Sequence, residues 1–150
     1  MMFSTKAEYG VRVMAHLARR DGAGPVALGT IATAEGLPLA YLEHLVARLR
    51  RADLVASRRG AHGGYSLARS AEAISMAEVV AALEGDIAPI ECISAGTDGD
   101  LVCVRESSGD GTCPTKLLWT RVRGSIVTTL REMTLSDLAQ PAPERKKTAA

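Results

Sequence analysis

The sequence predicts a mainly α-helical fold with one small β-hairpin and a long C-terminal helix. Two short helical patterns are joined by a tight Gly-Leu-Pro turn, a hairpin pattern rich in glycine and arginine follows, and apolar residues return at helical spacing near the C-terminus. The chain has 150 residues, 47% hydrophobic and 23% charged. This length suits one ordinary domain, or a smaller domain with a dimerisation appendage.

The composition excludes several classes of protein. Aromatic residues make up only 3% of the chain, which argues against an aromatic platform that stacks single-stranded nucleic acid. No apolar run reaches the length of about 18 residues that a membrane span needs. The N-terminus lacks the apolar core of a signal peptide. We therefore expect a cytoplasmic protein with no membrane partner.

Charge is divided unevenly along the chain. Residues 1–70 contain ten Lys or Arg and five Asp or Glu, whereas residues 71–150 contain eight and twelve, so a surplus of five positive charges precedes a surplus of four negative ones. The basic first half indicates contact with a polyanion. All three cysteines lie in the acidic half. An odd number of cysteines in a cytoplasmic protein suits ligands or redox groups better than a disulfide framework.

Three helices are predicted in the basic half, over residues 5–19, near 28–35 and over 39–51. Ser4 or Thr5 can cap the first. The apolar face of the third helix consists of Leu42, Leu45, Val46 and Leu49. Its opposite face carries Ala40, Tyr41, Glu43, His44, Arg48 and Arg51. The second and third helices with their glycine-bearing turn predict a helix-turn-helix.

The chemistry of the opposite face fits the major groove of DNA. His44 and Tyr41 are the candidates for base edges, and Arg48 and Arg51 for phosphates. Glu43 repels phosphate unless it accepts a hydrogen bond from a cytosine amino group, so its predicted contribution is to selectivity.

A hairpin is predicted directly after the third helix, from short strands at residues 54–57 and 65–67. Its loop contains three glycines, which allow close approach to a phosphate, and two arginines, Arg58 and Arg59, which can enter a narrow minor groove. His62 is either a phosphate contact or a solvated loop residue. Helix, helix and hairpin in this order predict a winged helix-turn-helix.

The rest of the chain divides into four predicted segments. Residues 71–84 form a connecting helix that opens with a capping box at Ser75 and Glu78. Residues 85–112 show no helical or strand period and form a cysteine-bearing loop. A dimerisation helix with a short cap is predicted over residues 113–139, with Pro114 in its first position. Residues 140–150 are expected to be a disordered tail.

The cysteine spacing leaves alternatives open. Ten residues separate Cys92 from Cys103, and nine separate Cys103 from Cys113, unlike the close pairs of a zinc ribbon. These are either unrelated thiols in an exposed loop or soft ligands for zinc, copper(I) or an iron–sulfur cluster. Three thiolates are one ligand short of a tetrahedral set, so the second interpretation predicts a fourth ligand from elsewhere.

Segments along residues 1–139 resemble the winged-helix transcriptional regulators typified by the iron–sulfur regulator IscR and the nitric-oxide sensor NsrR. The matching segments are TKAEYGVRVM at 5–14, AGPV at 23–26, YLEHL at 41–45, LR at 49–50, LVASRRG at 54–60, GGY at 63–65, CPTKLLW at 113–119 and TLSDL at 134–138. The resemblance implies a homodimeric regulator of double-stranded operator DNA that senses iron–sulfur status, redox or nitrosative stress. It also implies that Cys92, Cys103 and Cys113 hold an iron–sulfur cluster.

Two departures from the family pattern affect the cluster. The IscR type has a histidine three residues after the last cysteine, where this chain has Lys116. In the NsrR type a carboxylate of the first helix of the other subunit completes the site, and Glu8 occupies that position. The resemblance thus implies Glu8 of the partner subunit as fourth ligand. The cysteine spacings are longer than in either type, and a 2Fe–2S cluster is favoured over 4Fe–4S.

Two other classes of function compete with cluster sensing. One is a winged-helix repressor without a cluster, controlled by thiol oxidation, zinc or a partner protein. The other is an enzyme, but no Ser/His/Asp cluster, P-loop, HExxH or GxGxxG motif is evident in the sequence, which has only three histidines. We therefore expect neither an enzymatic activity nor a small-molecule substrate.

Overall fold

A computed structural model describes residues 3–90, 93–95, 101–103 and 113–139. Cys92, most of the predicted cysteine loop and the predicted tail at 140–150 lie outside the described residues. In the described part, a winged helical core comes first and a long helix follows it.

The three predicted helices of the basic half are confirmed as α1 (Thr5–Arg19), α2 (Leu28–Glu35) and α3 (Leu39–Arg51). The Ser4 side chain caps α1 by accepting a hydrogen bond from the Lys6 backbone N–H at 3.1 Å. Gly36 ends α2 in the left-handed conformation, with φ +65°. The predicted apolar face of α3 lies fully in the core.

The wing consists of β1 (Val55–Arg58) and β2 (Gly64–Leu67), an antiparallel pair in which Arg58 lies opposite Gly64. The strand bounds differ from the predicted ones by one residue. Val26 adds a single bridge to the sheet, because the backbones of Val26 and Tyr65 exchange two hydrogen bonds of 2.8 Å. This bridge anchors the wing to the segment between α1 and α2.

The connecting helix α4 (Met76–Glu84) follows a 3-10 turn at Ala71–Ala73. Its predicted capping box is confirmed: the Ser75 side chain accepts from the Glu78 N–H, and the Glu78 carboxylate accepts from the Ser75 N–H. Gly85 stands at the C-terminal end with φ +85°.

The loop prediction over residues 85–112 was wrong in part, because it contains a second hairpin. β3 (Ile93–Ala95) pairs antiparallel with β4 (Leu101–Cys103), so that Ile93 lies opposite Cys103. Each strand has three residues, too few for an alternating pattern to be recognised in the sequence.

The long helix α5 (Lys116–Glu132) begins later than predicted, and α6 (Leu135–Ala139) follows it. Pro114 lies in a turn before α5 and not at its first position, because the Lys116 N–H bonds to the Cys113 carbonyl at 3.2 Å and closes that turn. No residue of α5 is fully buried in the protomer. In α6, by contrast, Leu135 is fully buried in the winged-helix core. No helix in the described ranges is long and apolar enough to cross a membrane.

Candidate DNA-binding surface and thiol site

The outer face of α3 presents a mixed set of polar side chains. Ala40, Glu43, His44 and Arg51 are exposed, as predicted for a surface that reads DNA. Their exposure follows from the helical period, because Leu42, Leu45, Val46 and Leu49 occupy the opposite face of the same turns.

Tyr41 and Arg48 were also predicted to contact DNA; Tyr41 is half-buried, and Arg48 is exposed like the four residues above. The Tyr41 ring packs edge-on against Tyr9 of α1, with 5.8 Å between ring centroids. The Arg48 guanidinium donates a hydrogen bond of 3.2 Å to the Leu83 carbonyl near the end of α4. In this structure both side chains therefore hold α3 against its neighbours.

The wing presents the second part of the surface. Arg58, Arg59 and His62 are all exposed there, as predicted. Arg50 of α3, which was not among the predicted residues, donates a hydrogen bond of 3.3 Å to the Ser57 hydroxyl of β1. This contact links α3 to the wing, so the two parts of the surface are held in one arrangement.

Glu35 links α1 to the end of α2. Its carboxylate lies 2.9 Å from His16 Nδ1 and accepts from Arg12 Nε at 3.4 Å and from an Arg19 guanidinium N–H at 3.3 Å. Arg12 also bonds to the Glu35 carbonyl. Burial raises the pKa of the Glu35 carboxyl, but the hydrogen bonds from His16 and Arg12 and the charge of Arg19 outweigh this effect and hold the pKa below its ordinary value.

Glu84 links the end of α4 to the start of α1. Its carboxylate accepts from the backbone N–H groups of Ser4 and Ala7 at 3.1 and 3.2 Å, and also from the Ser4 hydroxyl. Burial raises its pKa, but the Ser4 contacts, the Lys6 charge at 3.6 Å and the Ala7 N–H lower it further than burial raises it. Glu84 thus accepts hydrogen bonds from backbone N–H groups at the start of α1, where a helix has unsatisfied donors.

Two of the three cysteines are described, and they lie together. The Cys103 side chain is within hydrogen-bonding contact of the Cys113 thiol. Cys103 is 1% exposed because β4 carries it inward. For this residue, the alternative of unrelated thiols in an exposed loop does not hold. Cys113 is half-buried just before α5, with its sulfur 3.4 Å from the Thr115 hydroxyl.

The environment of Cys113 favours its thiolate. Hydrogen bonds from the Thr115 hydroxyl and backbone lower the pKa of the thiol most, and desolvation raises it. With weaker contributions from Cys103 and the Lys116 N–H, the net pKa lies below its ordinary value. Among the described residues no group of three or more His, Cys, Asp or Glu side chains converges as a metal site. The described part therefore contributes two soft donors to any site of this kind.

Glu8, the predicted fourth ligand, is exposed on α1. It lines an open groove between α1, α4 and α5 together with Phe3, Val11, Val80 and Leu130. Within one protomer, none of the described contacts joins Glu8 to Cys103 or Cys113.

The arrangement matches one family of known proteins. The family model described as Rrf2, iron-dependent transcriptional regulator, matches residues 3–141. The chain belongs to the Rrf2 family. Regulators of this family bind operator DNA as dimers.

Individual Rrf2 relatives are similar over most of their length. The transcriptional regulator CymR of Bacillus subtilis is 39% identical over 93% of this chain and 90% of its own. The solved structure of this global cysteine regulator has a TM-score of 0.73 at 37% identity, covering 93% of this chain and 96% of that one. The solved structure of IscR of T. potens has a TM-score of 0.74 at 36% identity, and the match covers 100% of this chain and 94% of that chain.

A third solved Rrf2 relative is an oxidised form of CymR from Staphylococcus aureus. It has a TM-score of 0.73 at 36% identity and covers 95% of this chain and 99% of that chain. These relatives are transcriptional regulators and not enzymes. The expected winged-helix regulator is thereby confirmed at the level of the Rrf2 family.

Sequence reasoning missed the polar links that position this Rrf2 surface. Glu35 and Glu84 each contact an element distant in the sequence, at separations of up to 23 and up to 80 residues. Arg50 contacts the next element along the chain, at a separation of 7 residues. An acidic residue in the last turn of a helix, as at Glu35 and Glu84, is unfavourable towards the helix dipole. That mismatch was the available signal that both carboxylates have partners elsewhere.

The two lowered carboxyl pKa values predict acid sensitivity. Because Glu35 and Glu84 bind protons less readily in the folded than in the unfolded chain, their stabilisation is complete above the unfolded pKa, about 4.3. It is lost as pH falls through the depressed folded values. We expect Glu84→Gln to lower the free energy of unfolding by about 1–3 kcal/mol at neutral pH and to flatten its decline in acid.

Urea titrations at a series of pH values measure this effect. Glu72→Gln is the matched control, because Glu72 is exposed in the 3-10 turn. An equal change in the pH profile for Glu72→Gln and Glu84→Gln would contradict the assignment of the acid sensitivity to the α1–α4 link.

Proposed function

We propose that the chain is a homodimeric transcription factor whose affinity for operator DNA is controlled by an iron–sulfur cluster held by Cys92, Cys103 and Cys113. A 2Fe–2S cluster is favoured over 4Fe–4S. The observation that carries this proposal is the contact between the Cys103 and Cys113 side chains, which places two soft ligands side by side at the base of the long helix. The stimulus is iron–sulfur status, redox or nitrosative stress.

The DNA-reading part of the proposal rests on one continuous surface. Ala40, Glu43, His44 and Arg51 on α3 face the major groove, and Arg58, Arg59 and His62 on the wing meet the adjacent backbone or minor groove. Tyr41 acts in this arrangement mainly by holding α3 through its contact with Tyr9. Arg48 is exposed and remains a proposed phosphate contact, besides its bond to the Leu83 carbonyl. Phosphate repels the Glu43 carboxylate, and a hydrogen bond that this carboxylate accepts from a cytosine amino group offsets the repulsion.

A second copy of the chain accounts for the exposed apolar surface around α5. Leu117 is 66% exposed and Leu118 is 55% exposed, and α5 buries no residue within the protomer. The groove beside it is lined by Phe3, Val11 and Leu130. Apolar surface of this kind marks a protein–protein contact, and a dimer of α5 helices covers it.

Dimerisation also gives Glu8 a role. Glu8 lines the groove in which the second copy is expected to pack, so Glu8 of the partner subunit is the proposed fourth ligand. A carboxylate in place of a fourth thiolate makes a bound cluster more labile or alters its potential, which suits a sensor.

The thiols are placed where a ligand can affect DNA binding. Holding Cys103 and Cys113 together fixes the end of β4 against the start of α5. If α5 sets the geometry of the dimer, it also sets the spacing of the two α3 helices, which must match two half-sites of the operator. A bound cofactor changes operator affinity only by its different affinity for the two arrangements of the dimer, and the cluster supplies the redox and ligand-exchange chemistry.

A cluster-free alternative rests on the same contact. Cys103 and Cys113 can form a disulfide by losing two electrons and two protons to an oxidant such as hydrogen peroxide, and a relative has been solved in an oxidised form. Control by zinc or by a partner protein belongs to the same class.

Anaerobic purification separates the two candidates. Cluster ligation predicts a coloured protein with iron and sulfide in equal amounts, and thiols that resist alkylation under native conditions until iron is removed. A colourless, iron-free protein whose Cys103 and Cys113 alkylate freely and form a disulfide with peroxide would exclude cluster sensing and support thiol oxidation. Zinc content in place of iron would support the zinc-stabilised variant.

The wing arginines provide a separate test of DNA contact. Each lost phosphate contact lowers the slope of log K against log salt by about 0.9, and Arg58→Ala combined with Arg59→Ala removes four such contacts from a dimer. The slope is therefore expected to fall by about 4, and binding to weaken about equally across sequences. Arg121→Ala, at an exposed position of α5, is the matched control. Fluorescence anisotropy at several salt concentrations measures the slope. An unchanged slope would show that the wing arginines do not contact DNA.

A further inference from the structure

The first turn of α3 carries an apolar side chain that the core does not use. Leu39 is 44% exposed, whereas Leu42, Leu45, Val46 and Leu49 of the same helix are at most 1% exposed. Within residues 4–84, all of which the structure describes, Leu39 is the one large hydrophobic side chain that is exposed. Its side chain is therefore available for contact with a partner.

The surroundings of Leu39 are also apolar. Pro38 and Ala40 on either side are exposed, and the first turn of α3 contains no acidic residue. Leu39 borders a shallow groove whose other wall is formed by small residues of α2, including Gly29 and Thr33. The Leu39 side chain itself gains nothing from a phosphate, which binds charged and hydrogen-bonding groups.

The position of Leu39 on the helix brings it close to the proposed base-reading residues. It lies one turn before Glu43, on the same side of α3, because residues four apart on a helix share a face. The first turn of a recognition helix is the part that approaches base edges most closely. In the major groove the apolar group that a base presents is the 5-methyl of thymine.

We propose that Leu39 determines operator specificity by contacting the 5-methyl group of a thymine, next to the base read by Glu43. This inference rests on the proposed DNA-reading function and adds to it a residue that discriminates thymine from cytosine and from uracil. Pro38 and Ala40 on either side of Leu39 carry no polar side chain, so a methyl group can pack against this turn without burying a polar side chain.

Deoxyuridine substitution tests the contact directly, because it removes the methyl group and leaves base pairing unchanged. A double-stranded operator is first selected by the anaerobically purified protein from a randomised pool. Each thymine is then replaced by deoxyuridine, and binding is measured by fluorescence anisotropy. At one thymine per half-site we expect about fourfold weaker binding by the unsubstituted protein, the value for burial of one methyl group.

The same oligonucleotides are then measured with Leu39→Ala, which gives a double-mutant cycle between the side chain and the thymine methyl group. The variant should bind the thymine operator about fourfold or more weakly and lose no further affinity on deoxyuridine substitution at that position. Arg51→Ala is the control: it should weaken binding while keeping the full difference between thymine and deoxyuridine. Thermal unfolding verifies that Leu39→Ala remains folded, as expected for an exposed position.

The outcomes separate this inference from the function on which it rests. If the protein selects no sequence, specific DNA reading fails and the assignment of Leu39 fails with it. If it selects an operator in which every thymine tolerates deoxyuridine, the Leu39 assignment alone is wrong. Equal losses for Leu39→Ala on the thymine and deoxyuridine operators also overturn it, since they indicate a contact with some other group.

Discussion

Replacement of Cys103 or Cys113 by serine should abolish iron loading and leave operator affinity insensitive to oxidant. The two thiols are in contact, and one of them is buried. Serine at either position therefore removes a soft donor, and an exposed side chain cannot replace it as a ligand at this buried position. Coupling between an effector site and a second site typically amounts to about 5- to 150-fold in affinity. We expect the ratio of operator affinities with and without iron to fall from this range to 1.

Carboxylate variants sharpen this test. Glu8→Gln should retain iron during anaerobic purification but lose it faster on exposure to air, because an amide is a poorer ligand than a carboxylate. Glu132→Gln, at an exposed position of α5, should behave as the unsubstituted protein. Iron analysis, the visible spectrum and anisotropy with the selected operator measure all variants. Undiminished iron in the Cys103→Ser protein would contradict the assignment of Cys103 as a ligand.

The parts of the fold that the sequence predicted well are those set by neighbouring residues. The bounds of α2 and α3 agree with the prediction because Gly36 and Pro38 end one helix and open the next within three residues. The capping box of α4 likewise depends on Ser75 and Glu78 alone. Periodicity and capping are local signals, and a single sequence contains them in full.

The features that the prediction missed depend on residues far apart in the chain. Nothing near Arg48 indicates that its guanidinium will bond to the Leu83 carbonyl, 35 residues away. The burial of Cys103 depends on a hairpin of three-residue strands, too short to show alternation. For the candidate site, the resemblance implied Cys103 and Cys113 as members of one ligand set. Neither their contact with each other nor the inward placement of Cys103 could be predicted from the spacing.

Alanine at Gly64 should strongly destabilise the protein. A Cβ added there lies 2.4 Å from both the carbonyl carbon and oxygen of Val26, and Gly64 has φ +151°. The overlap is with backbone, which cannot rotate away as a side chain can. Relief therefore requires separation of the wing from Val26 and loss of the two 2.8 Å hydrogen bonds between Val26 and Tyr65.

The expected cost combines backbone strain and overpacking, each about 1–3 kcal/mol, so Gly64→Ala should lower the free energy of unfolding by about 3 kcal/mol or more. Gly60→Ala is a sharp control, because Gly60 has φ +113° but no atom within 4 Å of an added Cβ; it isolates the strain component. Urea denaturation gives both values. Equal effects of the two substitutions would mean that the wing moves away from Val26 at no cost. In that case Arg58 and Arg59 would be held by the hairpin alone, and the Val26 bridge would have no part in positioning them for DNA.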